Sequence, residues 1–128
     1  MTVKLFFGGL GIIQVITSCV LAWANLGHLT VGFSLIAVGA LFVSGVLKIL
    51  FGFVCENVVN VQRTIGGSFL FEGVYFGTGY QFLVEIGVCE ARLWVYVLAT
   101  LSALTLIVVG IGVLRDRSAF PGFFPKQS

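Results

Sequence analysis

Apolar residues in this sequence fall into long blocks, each close to the roughly 20 residues that an α-helix needs to cross about 30 Å of hydrocarbon. Hydrophobic residues make up 59% of the 128 positions, and charged residues only 9%. Soluble domains usually carry about 25% charged residues, so this chain has too few charges to cover a water-soluble surface. A lipid-facing surface explains both the apolar blocks and the shortage of charge.

The blocks predict four membrane-spanning helices, at about 4–25, 31–54, 65–88 and 92–114, followed by a tail at 115–128. The connections between them are short, and short connections make neighbouring helices antiparallel. The predicted fold is therefore all-α: a single integral membrane domain at 1–128, built as an antiparallel bundle of four transmembrane helices without a soluble domain.

The basic residues indicate an orientation for this bundle. Only Arg92 falls on the side that also holds Glu85 and Glu90. Since cytoplasmic segments of membrane proteins are enriched in Lys and Arg, we expect both termini to lie in the cytoplasm or in an equivalent matrix or stromal compartment. Which membrane holds the chain is left open. The other basic residues all fall on the side of the termini: Lys4, Lys48, Arg63, Arg115, Arg117 and Lys126.

Small and weakly polar residues recur at three- or four-residue spacing on each predicted helix, which is typical of helix packing in lipid. The third helix also carries a polar strip of Thr78, Gln81 and Glu85, so we expect it to be central or to contact a partner. The residues predicted to pack between helices are Gly11, Gln14, Ser18, Gly45, Gly52, Gly73, Gly77, Ala99, Ala103 and Gly110.

Two charged residues, Lys48 and Glu72, fall inside the predicted spans. Each lies about 10 Å from the boundary on the side of the termini, at 1.5 Å per residue. An unpaired charge at such a depth is costly, and the two helices are consecutive and antiparallel. We therefore predict an intramembrane ion pair between Lys48 and Glu72. The alternative is that Lys48 extends to the headgroups while Glu72 is protonated or binds a partner subunit.

The sequence offers little that could support catalysis. His28 is the only histidine, the three cysteines are far apart, and no nucleophile–base pair or phosphate-binding loop is present. We therefore expect no enzyme activity, no metal site, no nucleic-acid partner and no cofactor beyond bound lipid. Cys55, beside the membrane on the side of the termini, is a candidate for acylation.

Three classes of function remain. The preferred one is a non-catalytic accessory subunit of a larger membrane complex, for example in an energy-transducing organelle, held to other subunits through the third helix and the C-terminal tail. The second is a small tetraspan protein of the secretory pathway, acting in vesicle traffic or membrane organisation. The third is a small homo-oligomeric channel or transporter in which Glu72 lines the path.

Overall fold

A computed structural model describes residues 2–25, 33–54 and 56–116. Within these ranges all regular structure is helical, which confirms the all-α prediction for this part of the chain. Cys55 and the tail from residue 117 onward lie outside the described residues. The elements are α1 (Thr2–Ala24), α2 (Phe33–Ile49) continuing into a π-helical segment (Leu50–Val54), α3 (Val58–Glu85) and α4 (Leu93–Arg115).

Three of the four helices are long and apolar enough to cross a bilayer: α1, α2 together with its π-helical segment, and α4. The remaining helix, α3, has 28 residues and would extend about 42 Å. Because of its polar side chains, α3 is not among the helices that are apolar enough to cross a membrane by length and composition. The structure therefore shows a four-helix chain with three helices that could each span a membrane.

Both ends of α3 differ from the sequence prediction of 65–88. The helix begins at Val58 because the Asn57 side chain caps it, its Oδ1 accepting a hydrogen bond of 2.8 Å from the Val59 amide. It ends at Glu85 because Gly87 adopts a positive φ of 82°. The Gly87 and Val88 amides then turn back to carbonyls of the last helical turn, as in a Schellman motif.

Each helix packs mainly against its neighbours in sequence. As a result α2 and α3 occupy central positions, whereas α1 and α4 lie at the two sides. We call the end that holds the start of α1 and the end of α4 the terminal end. There, all four helices contribute to one apolar cluster, whose members are Phe51, Val61, Ile65, Phe69 and Val113, with Phe7, Leu106 and Val109 packed against it.

Away from the terminal end the helices separate into two groups. A second cluster of Ala37, Val38 and Phe82 is covered by side chains of α1, α2 and α3 only. At this level α4 therefore packs against α3 without contributing to the cluster shared by the other helices. At the terminal end, by contrast, the Phe7 ring of α1 contacts both Phe51 and Phe69 edge-to-face, at centroid distances of 5.9 and 6.0 Å.

Glycines allow α1 and α2 to approach closely. A methyl group built on Gly11 would lie 2.5 Å from the Gly45 carbonyl oxygen, and one built on Gly45 would lie 2.8 Å from the Gly11 carbonyl oxygen. Two turns towards the terminal end, a methyl group on Gly52 would lie 2.6 Å from the Gly8 Cα. The two backbones are therefore in contact over this length, as small residues permit in membrane helices.

The contact between α3 and α4 repeats every seven residues on both helices. Gly66 faces Gly110, Gly73 faces Ala103, and the Tyr80 ring meets the Tyr96 ring. A seven-residue repeat is the spacing of left-handed antiparallel packing at a small crossing angle. The Gln62 side chain completes this contact at the terminal end, donating hydrogen bonds to the Val113 and Leu114 carbonyls that end α4.

Replacing Gly11 by alanine should destabilise the fold by about 1–3 kcal/mol, because the added methyl group would force the α1 and α2 backbones apart. Gly9→Ala provides a matched control on the same helix, since a methyl group there meets nothing within 4 Å. It should be neutral or stabilising by up to ~1 kcal/mol through helix propensity. Thermal unfolding in mild detergent measures both, and equal effects at the two positions would contradict the packing described here.

Candidate functional site

A charged pair lies between α2 and α3. The Lys48 Nζ is 2.6 Å from the Glu72 Oε1, and the side chains are 0% and 13% exposed. The structure thus brings together the two charged residues for which the sequence predicted a pair. Because Lys48 is wholly enclosed, its ammonium group reaches neither the ends of the helices nor the surrounding lipid.

Two further polar residues extend this pair into a polar cluster, defined here as Gln14, Ser44, Lys48 and Glu72. The Gln14 Nε2 donates to the Glu72 Oε1 at 2.5 Å, and the Lys48 Nζ donates to the Gln14 Oε1 at 3.2 Å. The Ser44 hydroxyl is 3.4 Å from the same Gln14 oxygen and 3.0 Å from the Ser68 carbonyl oxygen. The polar cluster therefore ties α1, α2 and α3 together.

Local helix geometry explains how these side chains meet. A methyl group on Gly11 would lie 2.8 Å from the Lys48 Cβ, so the absence of a side chain at Gly11 makes room for the lysine. Side chains on a helix lean towards its N-terminus. The Lys48 side chain therefore leans away from the terminal end, whereas those of Gln14 and Glu72, on helices of opposite direction, lean towards it. The three polar ends converge at one depth.

The polar cluster satisfies its own hydrogen-bonding groups. In the part of the chain that the structure describes, no buried side-chain nitrogen or oxygen lacks a partner. Breaking a buried pair by removing one member is far more costly than replacing both by apolar residues. Such a cluster favours one register and rotation of the three helices over others, since any slip would separate a charge from its partner.

The residues predicted to pack between helices are distributed over two interfaces. Between α3 and α4, Gly73, Ala103 and Gly110 are buried, and a methyl group on Gly73 would lie 3.0 Å from the Ala103 carbonyl oxygen. Gly77 is exposed, and a methyl group there would make only an ordinary 3.6 Å contact. Ala99 is half-buried. The predicted residues at the interface of α1 with α2 are Gly11, Gln14, Ser18, Gly45 and Gly52, and the structure buries or half-buries each of them.

The polar strip predicted on α3 is partly used by α4. The Tyr96 hydroxyl donates to the Gln81 Oε1, and the Gln81 Nε2 is 3.4 Å from the Glu85 Oε1. The Thr78 hydroxyl instead donates to the Val74 carbonyl of its own helix at 2.8 Å. These contacts place part of the polar side of α3 between helices, at the end opposite the terminal end.

Sequence reasoning assigned Gln14 to packing alone and did not place Ser44 or Ser68 beside the ion pair. The contact of Gln14 with the pair could have been predicted from the direction of helical side chains. They lean towards the N-terminus of their helix, which moves the polar end of Gln14 about one turn from its Cα. Within the described residues, no group of three or more His, Cys, Asp or Glu side chains is placed to hold a metal ion.

Single replacements in the ion pair should be more damaging than the double replacement. Glu72→Leu alone leaves the Lys48 ammonium buried without its counter-charge, and a loss of about 3–5 kcal/mol is expected. Lys48→Met/Glu72→Leu removes both charges and should recover at least half of that loss, with Gln14 still bonded to Ser44. A double-mutant cycle of unfolding free energy in detergent measures the coupling; additive losses would contradict a paired role.

Comparison with known proteins found no matching family model, no significant match among curated proteins and no significant match among solved structures.

Proposed function

We propose that this chain is a non-catalytic structural subunit of a larger membrane protein complex, crossing the bilayer four times. The observation that carries the proposal is the internal bonding of Lys48 within the polar cluster. Lys48 is fully buried, and its hydrogen bonds end on Gln14 and Glu72 of the same chain. An enclosed, internally bonded charge pair fixes helix positions and is not arranged to receive a substrate.

The exposed surface of the outer helices supports an assembly role. Only 22% of the most apolar part of α1 and 17% of that of α4 are buried within the chain. Both helices therefore present broad apolar sides to their surroundings. In a membrane complex, such sides provide contact area for neighbouring subunits as well as for lipid.

The packing of α3 supports four crossings. If α2 and α4 cross the bilayer, α3 lies beside both over most of its length, from the Gly66 contact to the Tyr80 contact. Its charged and polar side chains then face other helices: Glu72 bonds α1 and α2, and Gln81 bonds α4. Intramembrane polar groups are tolerated where they are paired in this way.

We assign the terminal end to the cytoplasmic or equivalent matrix or stromal side, and the charge distribution supports this assignment. Arg63 near the start of α3 and Arg115 at the end of α4 are exposed there. Arg92, at the opposite end, pairs with Glu90 at 2.9 Å, so its charge is largely balanced. By sequence, the basic residues on the side of the termini outnumber Glu56 and Asp116 there, and this excess of positive charge agrees with the positive-inside tendency.

Four crossings place residue 59 and residue 91 on opposite sides of the membrane. Single cysteines at these exposed positions, Val59→Cys and Ala91→Cys, in a chain with its native cysteines replaced, should react with a membrane-impermeant maleimide from opposite sides. Sealed vesicles of known orientation supply the measurement, and detergent-opened vesicles show that both sites can react. Labelling of both cysteines from one side would exclude a membrane-spanning α3.

Mild extraction from the native membrane tests the assembly role. On a native gel, the chain should migrate in a stoichiometric complex far larger than its own 13.7 kDa, and mass spectrometry of that band identifies its companions. Migration alone or as a small homo-oligomer would exclude an accessory subunit. The secretory-pathway and channel alternatives would then be separated by a reconstituted flux assay comparing the chain with Glu72→Gln.

A further inference from the structure

One face of the α3–α4 pair is filled at the terminal end and open beyond it. At the terminal end, Phe7 of α1 packs there against a cluster that includes Phe69 and Val113. Further along, the same stripe of α4 continues through Ser102, Leu98 and Val95, at three- or four-residue spacing. There it borders an apolar cavity of about 290 Å³, whose lining includes Tyr75, Phe76 and Gly79 of α3 and Leu98, Ala99 and Ser102 of α4.

Two hydroxyl groups that line this cavity have no partner. Within the described residues, the hydroxyls of Tyr75 and Ser102 make no hydrogen bond. By contrast, Thr100 and Thr105 on the same helix as Ser102 donate to carbonyls of their own helix at 2.9 and 2.8 Å. Tyr75 and Ser102 lie about 14–15 Å from the ends of their helices, which is close to mid-bilayer for spanning helices.

Glu72 adds a third unused group beside this face. Its hydrogen bonds from Gln14 and Lys48 both end on Oε1, and Oε2 accepts none from the described residues. The side chain is 13% exposed, so the pair is open on one edge. Glu72 also lies on the stripe of α3 that continues through Phe76, Gly79 and Leu83, since these positions recur at three- or four-residue spacing.

We infer that the open half of this face binds a transmembrane helix of another subunit, one that carries an Asn, Gln, Ser or Thr side chain at mid-bilayer depth. This inference rests on the proposed function and assigns the surface that would serve it. At the terminal end the same face is already covered by the Phe7 ring of α1, which packs against Phe69 of α3. The partner helix continues that interface along α3 and α4.

Lipid alone does not match the chemistry of the open half of this α3–α4 face, which we call the groove. Acyl chains offer no hydrogen-bonding group at mid-bilayer, and unsatisfied polar groups in hydrocarbon are strongly disfavoured. A polar side chain of a neighbouring helix can bond one of the two hydroxyls that line the cavity.

Photocrosslinking in the intact native membrane tests this surface. A benzophenone amino acid replaces Leu98, which lines the groove and is 53% exposed, and the matched control replaces Val108, which is 67% exposed and lies outside the groove on the same helix. The Leu98 variant should give one discrete adduct with a different membrane protein. The Val108 variant should give none.

A second pair of variants tests whether filling the groove blocks binding of the partner. Ser102→Phe should reduce recovery of the crosslinked protein with the chain at least about tenfold, equivalent to ~1.4 kcal/mol of binding, whereas Val108→Phe should not. Adducts to lipid only, or to a second copy of this chain, would overturn the inference, as would full recovery with Ser102→Phe. If the Ser102→Phe variant fails to accumulate, the crosslinking comparison of Leu98 with Val108 decides whether the inference holds.

The outcomes also separate this inference from the proposed function. If the native gel shows a stable complex but Leu98 crosslinks only to lipid, the chain is a subunit that docks through another surface. If the chain runs alone after extraction and Leu98 yields no protein adduct in the intact membrane, both fail. Crosslinking precedes detergent, so a weak complex lost on extraction still reports its partner.

Discussion

The arrangement of the first three helices depends on one buried charge, that of Lys48. Apolar helices in lipid lose little when they slide or rotate, because each contact given up is replaced by a similar contact with an acyl chain. A buried ammonium group has no such replacement. It requires the Glu72 carboxylate at 2.6 Å and a second acceptor, which Gln14 supplies from α1. The glycine at position 11 makes this geometry attainable, since the lysine stem occupies the space that any side chain there would fill.

The α3–α4 contact is held by a different means. No ion pair crosses it among the described residues, and specificity comes from shape: glycine faces glycine at one end, and two tyrosine rings meet at the other. Close backbone contact increases dispersion attraction but tolerates little change in side-chain size. The two halves of the molecule therefore place different demands on the sequence, charge complementarity in α1–α3 and small residues at seven-residue intervals in α3–α4.

The helices and many of their packing residues could be predicted from the sequence, because apolar blocks and the spacing of small residues are local patterns. The start of α3 could not be predicted in this way. Hydropathy marks where the chain becomes apolar, whereas the helix begins earlier, at the Asn57 cap, and runs through polar residues first. Lys48 and Glu72 could be paired from the sequence because their positions were counted from the apolar boundary and not from the helix end, and the structure places their charged groups 2.6 Å apart. The role of Gln14 could not be predicted from depth alone, because its Cα lies farther along its helix than that of Glu72. Only the lean of its side chain towards the terminal end, opposite to that of Lys48, brings it to the ion pair.

The polarity of a helix in this molecule reflects how its sides are covered. The outer helices α1 and α4 expose most of their surface and are almost wholly apolar, whereas α3 is covered by neighbours on two sides and carries Glu72, Gln81 and several hydroxyls. Length and composition alone therefore leave α3 out of the candidate membrane spans, although Glu72 and Gln81 are bonded by other helices. The same reasoning applies to Tyr75, Ser102 and the Glu72 Oε2. These groups make no hydrogen bond among the described residues, and they lie on the side of α3 and α4 that those residues leave uncovered. If α3 owes its polarity to its neighbours, these atoms mark the place where one more neighbour is needed.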